Sequence, residues 1–149
     1  MSRTQATTLL FQTPTPGIAR REIRAFALKL ASDVAGGRSF CCLITSDAEM
    51  RRLNREFRRK DFATDVLSFP SGSGNGFLGE IAISFERARE QAREYNLAVS
   101  EELQILMLHG ALHLLGMDHE KDRGQMARAE AKWRSALRLP RGLIERVQS

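Results

Sequence analysis

All three histidines of this chain, His109, His113 and His119, fall within the run His109-Gly110-Ala111-Leu112-His113-Leu114-Leu115-Gly116-Met117-Asp118-His119. Residues four apart lie on one face of an α-helix, so His109 and His113 can aim two imidazoles at a single point. Gly116 follows the apolar run and suits the left-handed turn that ends a helix, which lets His119 reach the same point from a loop. Three imidazoles with a fourth position open describe a catalytic zinc site, whereas structural zinc is usually closed off by four protein ligands. A buried, hydrogen-bonded histidine cluster is the competing account. The gathering of every histidine at this spacing, with a glycine stop between the second and third, favours metal.

The spacing resembles the H-E-x-x-H-x-x-G-x-x-H pattern of metzincin metallopeptidases, whose Glu serves as general base. Gly110 stands at the Glu position and can neither take a proton from water nor orient it. A metallopeptidase reading therefore lacks its base. Zinc on three neutral imidazoles keeps its positive charge, polarises a phosphoryl oxygen and lowers the pKa of its water to about 7, so hydrolysis by such a site needs no Glu.

The rest of the chain must hold this run in place. Leu103 to Leu115 is apolar almost throughout and predicts a buried central helix, capped by Ser100 with Glu101 and Glu102 in its first turn. Ahead of it, Thr7 to Gln12 reads as a short strand. A helix from Ile18 carries Ile23, Phe26, Ala27, Leu30 and Val34 on one stripe, and Ser39 to Thr45 reads as a central strand. Ser46 or Asp47 caps a helix that turns Met50, Leu53 and Phe57 inward. Val66 to Pro70 is a strand stopped by proline at a sheet edge, paired hairpin-fashion with Leu78 to Ile83 across a Gly/Ser loop. Phe85 to Tyr95 is a charged amphipathic helix. A last helix starts at Asp122 or Arg123, runs through Met126, Ala129, Trp133 and Leu137, and stops before Pro140, with Arg141 to Ser149 as a tail or a turn of helix.

The 149 residues suit one domain spanning 1–149. A net charge of +5 favours an acidic partner such as RNA. The densest positive run is Arg51, Arg52, Arg55, Arg58, Arg59 and Lys60, opposed within it only by Glu56. Cys41 and Cys42, adjacent on a strand, point to opposite faces and can neither share a metal nor pair without strain, which suits a reducing compartment. The longest strongly apolar stretch, Ile105 to Met117, is too short to span a membrane, and no signal peptide is evident, so a cytoplasmic enzyme is expected.

Three stretches together resemble the YbeY family, bacterial endoribonucleases implicated in rRNA maturation. They are Leu53-Asn54, Phe57-Arg58 and Asp61 leading into Thr64-Asp65-Val66-Leu67-Ser68-Phe69-Pro70; Leu78-Gly79-Glu80-Ile81; and the histidine run, with a weaker likeness through Met126 and Glu130. Met117 stands where that family commonly has Tyr. The resemblance implies an α+β fold: a small mixed β-sheet of about four strands with one antiparallel edge, covered by helices. It further implies His109, His113 and His119 as ligands of one Zn2+ per chain, Arg58 facing the substrate, and a role in 16S rRNA 3′-end maturation and ribosome quality control, with the ribosomal subunit or its proteins as partners. An Arg beside the metal would hold a phosphate with its planar fork of donors. Asp118 is a candidate for orienting an imidazole, and Asp65 and Ser68 for contacting water or substrate; all three also suit turns or caps. Zinc hydroxide and the RNA's own 2′-hydroxyl both stand as possible nucleophiles. A zinc-stabilised RNA-binding module is the non-enzymatic alternative.

Overall fold

Alternating apolar residues define the sheet, and they divide between its two faces as strand geometry requires. In the computed structural model, which describes residues 6–72 and 76–140, the elements run β1 (Thr8–Phe11), α1 (Arg20–Lys29), β2 (Ser39–Thr45), α2 (Asp47–Arg58), β3 (Val66–Pro70), β4 (Phe77–Ser84), α3 (Phe85–Glu94), α4 (Val99–Leu114) and α5 (Gln125–Ala136). The four strands form one sheet in the order β1-β2-β4-β3. β1 and β4 both pair parallel to β2, and β3 pairs antiparallel to β4 from Val66 opposite Ile83 to Pro70 opposite Gly79. The fold is thus α+β, with the expected antiparallel edge at β3 and β2 at the centre.

Leu9, Phe40, Cys42, Ile44, Ile81 and Ile83 join one large core beneath α1 and α4. The opposite face holds a small core of Met50, Leu67 and Ala82, with Leu43, Leu53 and Phe69 half-buried around it, beneath α2. Eleven of the sixteen residues of α4 are buried, which makes it the central helix that its composition predicts. Among the described residues, no helix is long and apolar enough to cross a membrane.

Several local expectations need correction. The helix read from Ile18 to Val34 widens after Lys29 into a π-helical turn, Leu30–Val34, where the Ala35 amide donates to the Leu30 carbonyl at 2.9 Å. This keeps Leu30, Ala31 and Val34 in the core before the glycine pair reverses the chain. Ser100 does not cap α4. The cap position is Ala98, whose amide donates to the Glu101 carboxylate at 2.9 Å, one half of a capping box. Glu102 is buried and accepts from Gln91 Nε2 at 2.7 Å, tying α4 to α3. Phe57 is not inward but 61 % exposed, because the last turn of α2 runs past the small core and only the edge of the ring meets Phe69. α5 begins at Gln125, later than predicted, although Asp122 does serve its start. Residues 1–5, the segment 141–149 read as a tail or a turn of helix, and positions 73–75 of the Gly/Ser loop lie outside the described residues.

Candidate metal centre

The end of α4 explains how the third histidine joins the first two. Leu112 to Met117 closes as a Schellman turn: the Met117 amide donates to the Leu112 carbonyl at 3.2 Å and the Gly116 amide to His113 at 2.9 Å. Gly116 has φ +91°, a conformation that glycine adopts without a Cβ penalty. The reversed chain then carries His119 back over the helix end. The ligand atoms of His109, His113 and His119 all lie within 4.8 Å of one another. His109 Nε2 and His113 Nε2 are 3.2 Å apart, close to the ~3.3 Å edge of a tetrahedron with Zn–N distances near 2.0–2.1 Å. The donor set therefore fits a metal ion. Burial falls along the triad, from His109 through the half-buried His113 to the exposed His119.

Electrostatics favour the neutral form of His113. Desolvation, followed by the neighbouring His109 and His119 rings, holds the His113 pKa below the ordinary value for histidine. His109 Nδ1 lies 2.7 Å from Glu130 Oε2, with both side chains almost fully buried. This contact orients the ring with Nε2 toward His113; a carboxylate that accepts from Nδ1 leaves the Nε2 lone pair free for a metal.

Glu130 is the residue that reading the sequence did not assign. It is noted there only as part of a weak likeness, and the carboxylate suggested for orienting an imidazole is Asp118. The Asp118 Oδ1 instead accepts from the Glu120 amide at 3.0 Å within its own loop. One signal was available: Glu130 stands four residues after the buried Met126, on the stripe of α5 that faces α4. Asp122 holds that helix in place, accepting from the Gly124 amide at 2.8 Å and the Met126 amide at 2.9 Å. These bonds, Met126 first, keep its carboxyl pKa below the ordinary carboxylate value.

The three imidazoles form one wall of a cavity of about 570 Å3, whose other lining includes Arg58, Thr64, Asp65 and Ser68. Arg58, the last residue of α2, is exposed and brings a second element to the same cavity. Ser68 Oγ donates to the Gly110 carbonyl at 3.0 Å, and Asp65 Oδ1 accepts from the Val66 amide at 2.8 Å, so both have structural bonds as well as a place in the cavity lining. Gly110 faces the sheet. A Cβ there would sit 2.8 Å from Ile81 Cγ2 and 3.2 Å from Ser68 Oγ, so α4 rests on β3 and β4 where only glycine fits. Glycine offers no carboxylate here, so the peptidase base is absent from this position.

The basic run is less uniformly positive than its sequence suggests. Arg51 makes a two-pronged pair with Asp61 at 2.8 and 3.1 Å, Arg55 approaches the same carboxylate at 3.8 Å, and Arg52 is clasped by Glu49 and Glu56. Among the described residues, no ion pair is formed by Arg58, Arg59 or Lys60.

Residues 18–138 match the family model described as Endoribonuclease YbeY. The chain belongs to the YbeY family. A relative named Endoribonuclease YbeY from Solibacter usitatus is 57% identical across the full length of both chains. One of the same name from Koribacter versatilis is 49% identical over 88% of this chain and 86% of its own. The solution structure of a Thermotoga maritima protein superposes with a TM-score of 0.59 at 26% identity, covering 87% of this chain and 93% of that one. The YbeY match spans every cavity residue named above, from Arg58 to Glu130 at its back.

Proposed function

We propose that this protein is a zinc-dependent endoribonuclease that prefers single strands and acts in the cytoplasm on 16S rRNA 3′-end maturation and ribosome quality control. Residues 1–149 would serve as one metal-dependent hydrolase domain. The observation that carries this reading is the convergence of His109, His113 and His119 across a cavity from Arg58, in a chain whose relatives are named endoribonucleases.

In this reading His109, His113 and His119 hold one zinc ion, which supplies Lewis acidity toward a phosphoryl oxygen and activates water. Glu130 fixes the His109 ring and its tautomer, so that Nε2 is always the free donor atom. Arg58 holds the scissile phosphate through its guanidinium fork and stabilises charge that builds on the phosphoryl oxygens. Arg59 and Lys60 extend the positive rim toward the flanking phosphates of RNA or of a ribosomal subunit. Asp65 and Ser68 offer polar atoms in the cavity lining.

Metal content by mass spectrometry, measured with cleavage of structured rRNA by wild type and His113→Ala, tests the proposal. Wild type should carry about one zinc per chain, with metal and cleavage lost together in the variant. Undiminished cleavage by a nuclease-free His113→Ala preparation would overturn it. Unfolding of wild type on chelation would instead favour a zinc-stabilised binding module, because a catalytic metal leaves the core under α4 standing.

A further inference from the structure

We infer that Phe62 is a stacking platform for the base of the nucleotide beside the reacting phosphate; this rests on the endoribonuclease reading above. Phe62 is 53 % exposed and, among the described residues, its ring meets no other aromatic ring. It differs in this from Phe57, whose ring packs edge-on against Phe69 with centroids 5.6 Å apart. An apolar ring left in water next to unpaired cations matches the chemistry of single-stranded nucleic acid, which offers a π-face and a phosphate at every step.

The backbone that carries the ring is tied down at several points. Asn54, 2 % exposed, accepts the Lys60 amide on its backbone carbonyl at 3.2 Å and donates its side-chain Nδ2 to the Phe62 carbonyl at 3.0 Å. Arg59 takes a left-handed conformation, φ 57°, to make the turn, and the Arg51 pair with Asp61 pins the residue before the ring. Phe62 lies between Arg58 and Thr64, both of which line the metal cavity. Two Cα steps of ~3.8 Å keep its backbone within about 7.6 Å of Thr64. Arg58, Arg59 and Lys60 therefore track the strand's phosphates along the same turn that offers the ring to its bases.

The test titrates the chelator-treated full chain with a single-stranded oligoribonucleotide carrying 2-aminopurine, at several salt concentrations. Stacking on a ring is worth about 5- to 100-fold in affinity, so Phe62→Ala should weaken binding by that factor and reduce the fluorescence quench. It should leave the salt slope unchanged, whereas Arg59→Gln and Lys60→Gln should each flatten that slope by about 0.7. Phe62→Tyr, which keeps the ring, should bind like wild type. In the metal-loaded enzyme, Phe62→Ala should raise KM and spare kcat. Wild-type affinity in Phe62→Ala, with wild type itself binding and cleaving RNA, would overturn the platform alone and assign the exposed ring to a protein-docking surface. Wild type that neither binds nor cleaves single strands would overturn the function and the platform together.

Discussion

On the α1 and α4 side of the sheet, Phe40, Cys42, Ile44, Ile81 and Ile83 are wholly buried, whereas on the α2 side the small core of buried apolar residues, among those described, is Met50, Leu67 and Ala82. The candidate site draws on both. The deep side supplies His109 and His113 from α4, whose eleven buried residues hold it in the main core, and Glu130 from α5, packed against it through Met126. The shallow side supplies Arg58, Arg59, Lys60 and Phe62, which stand in solvent at the end of α2. A metal ion requires fixed distances, and a flexible polymer requires reach. The difference in packing depth lets one small domain provide the two together.

The contrast can be broken most forcefully at Arg58. If the proposed function holds, Arg58→Ala should lower kcat/KM for RNA by about 10²-fold while leaving zinc content at its wild-type level, because the proposal gives Arg58 to the substrate and the three histidines to the metal. Steady-state kinetics paired with metal analysis would check this, and loss of zinc in the variant would mean that the two sides are not separable. Glu130→Gln tests the deep side. Metal affinity, read by chelator competition, should fall about 10- to 100-fold, since the His109 ring loses its ionised partner. Unchanged affinity would sink the assigned role of Glu130.

Smaller effects sharpen the same contrast. Gly110→Ala adds a good helix former, worth about 1 kcal/mol alone, but its Cβ must displace Ile81 and Ser68. Overpacking of this kind costs about 1–3 kcal/mol, so the variant should be net destabilised by about 1 kcal/mol in denaturant unfolding. A net gain would mean that α4 rests less tightly on the sheet than its geometry indicates. Asp122→Ala should lower the Tm by a few degrees at neutral pH, through the start of α5. Because the folded pKa of Asp122 is lowered, its stabilisation is present above the unfolded value of about 3.9 and is lost as pH falls through the folded value. The Tm gap between variant and wild type should therefore close in acid and stay open at neutral pH.

How much of this was legible in the sequence follows from the range of the interactions. The histidine spacing, the Gly116 stop and the strand-proline edge at Pro70 are local, and local rules read them correctly. The hairpin pairing of that strand with the next was also a local reading, whereas the mixed sheet came from family resemblance, which carries topology that periodicity cannot. Glu130 went unassigned because its partner lies 21 residues away on another helix, and a single Glu in an amphipathic helix looks like any solvated charge. Asp61 likewise neutralises Arg51 through a turn that charge counting along the chain does not fold. Phe57 matched the inward stripe of α2, but its exposure depends on how far the small core extends beneath that helix. The start of α4 shifted because a Glu side chain, not a serine, supplied the bond to the cap amide.

The carboxylate behind His109 also has a consequence in time. A domain generally folds as a unit once its chain has emerged, and His109, His113 and His119 leave the ribosome before Glu130 does. If zinc is held as proposed, a nascent chain lacking a docked α5 presents the three imidazoles with His109 free to rotate and to choose either tautomer. Its grip on the metal would be weaker by the factor assigned to Glu130. The last helix would then act as an arming step, keeping a nuclease feeble while it is still attached to the RNA machine that makes it.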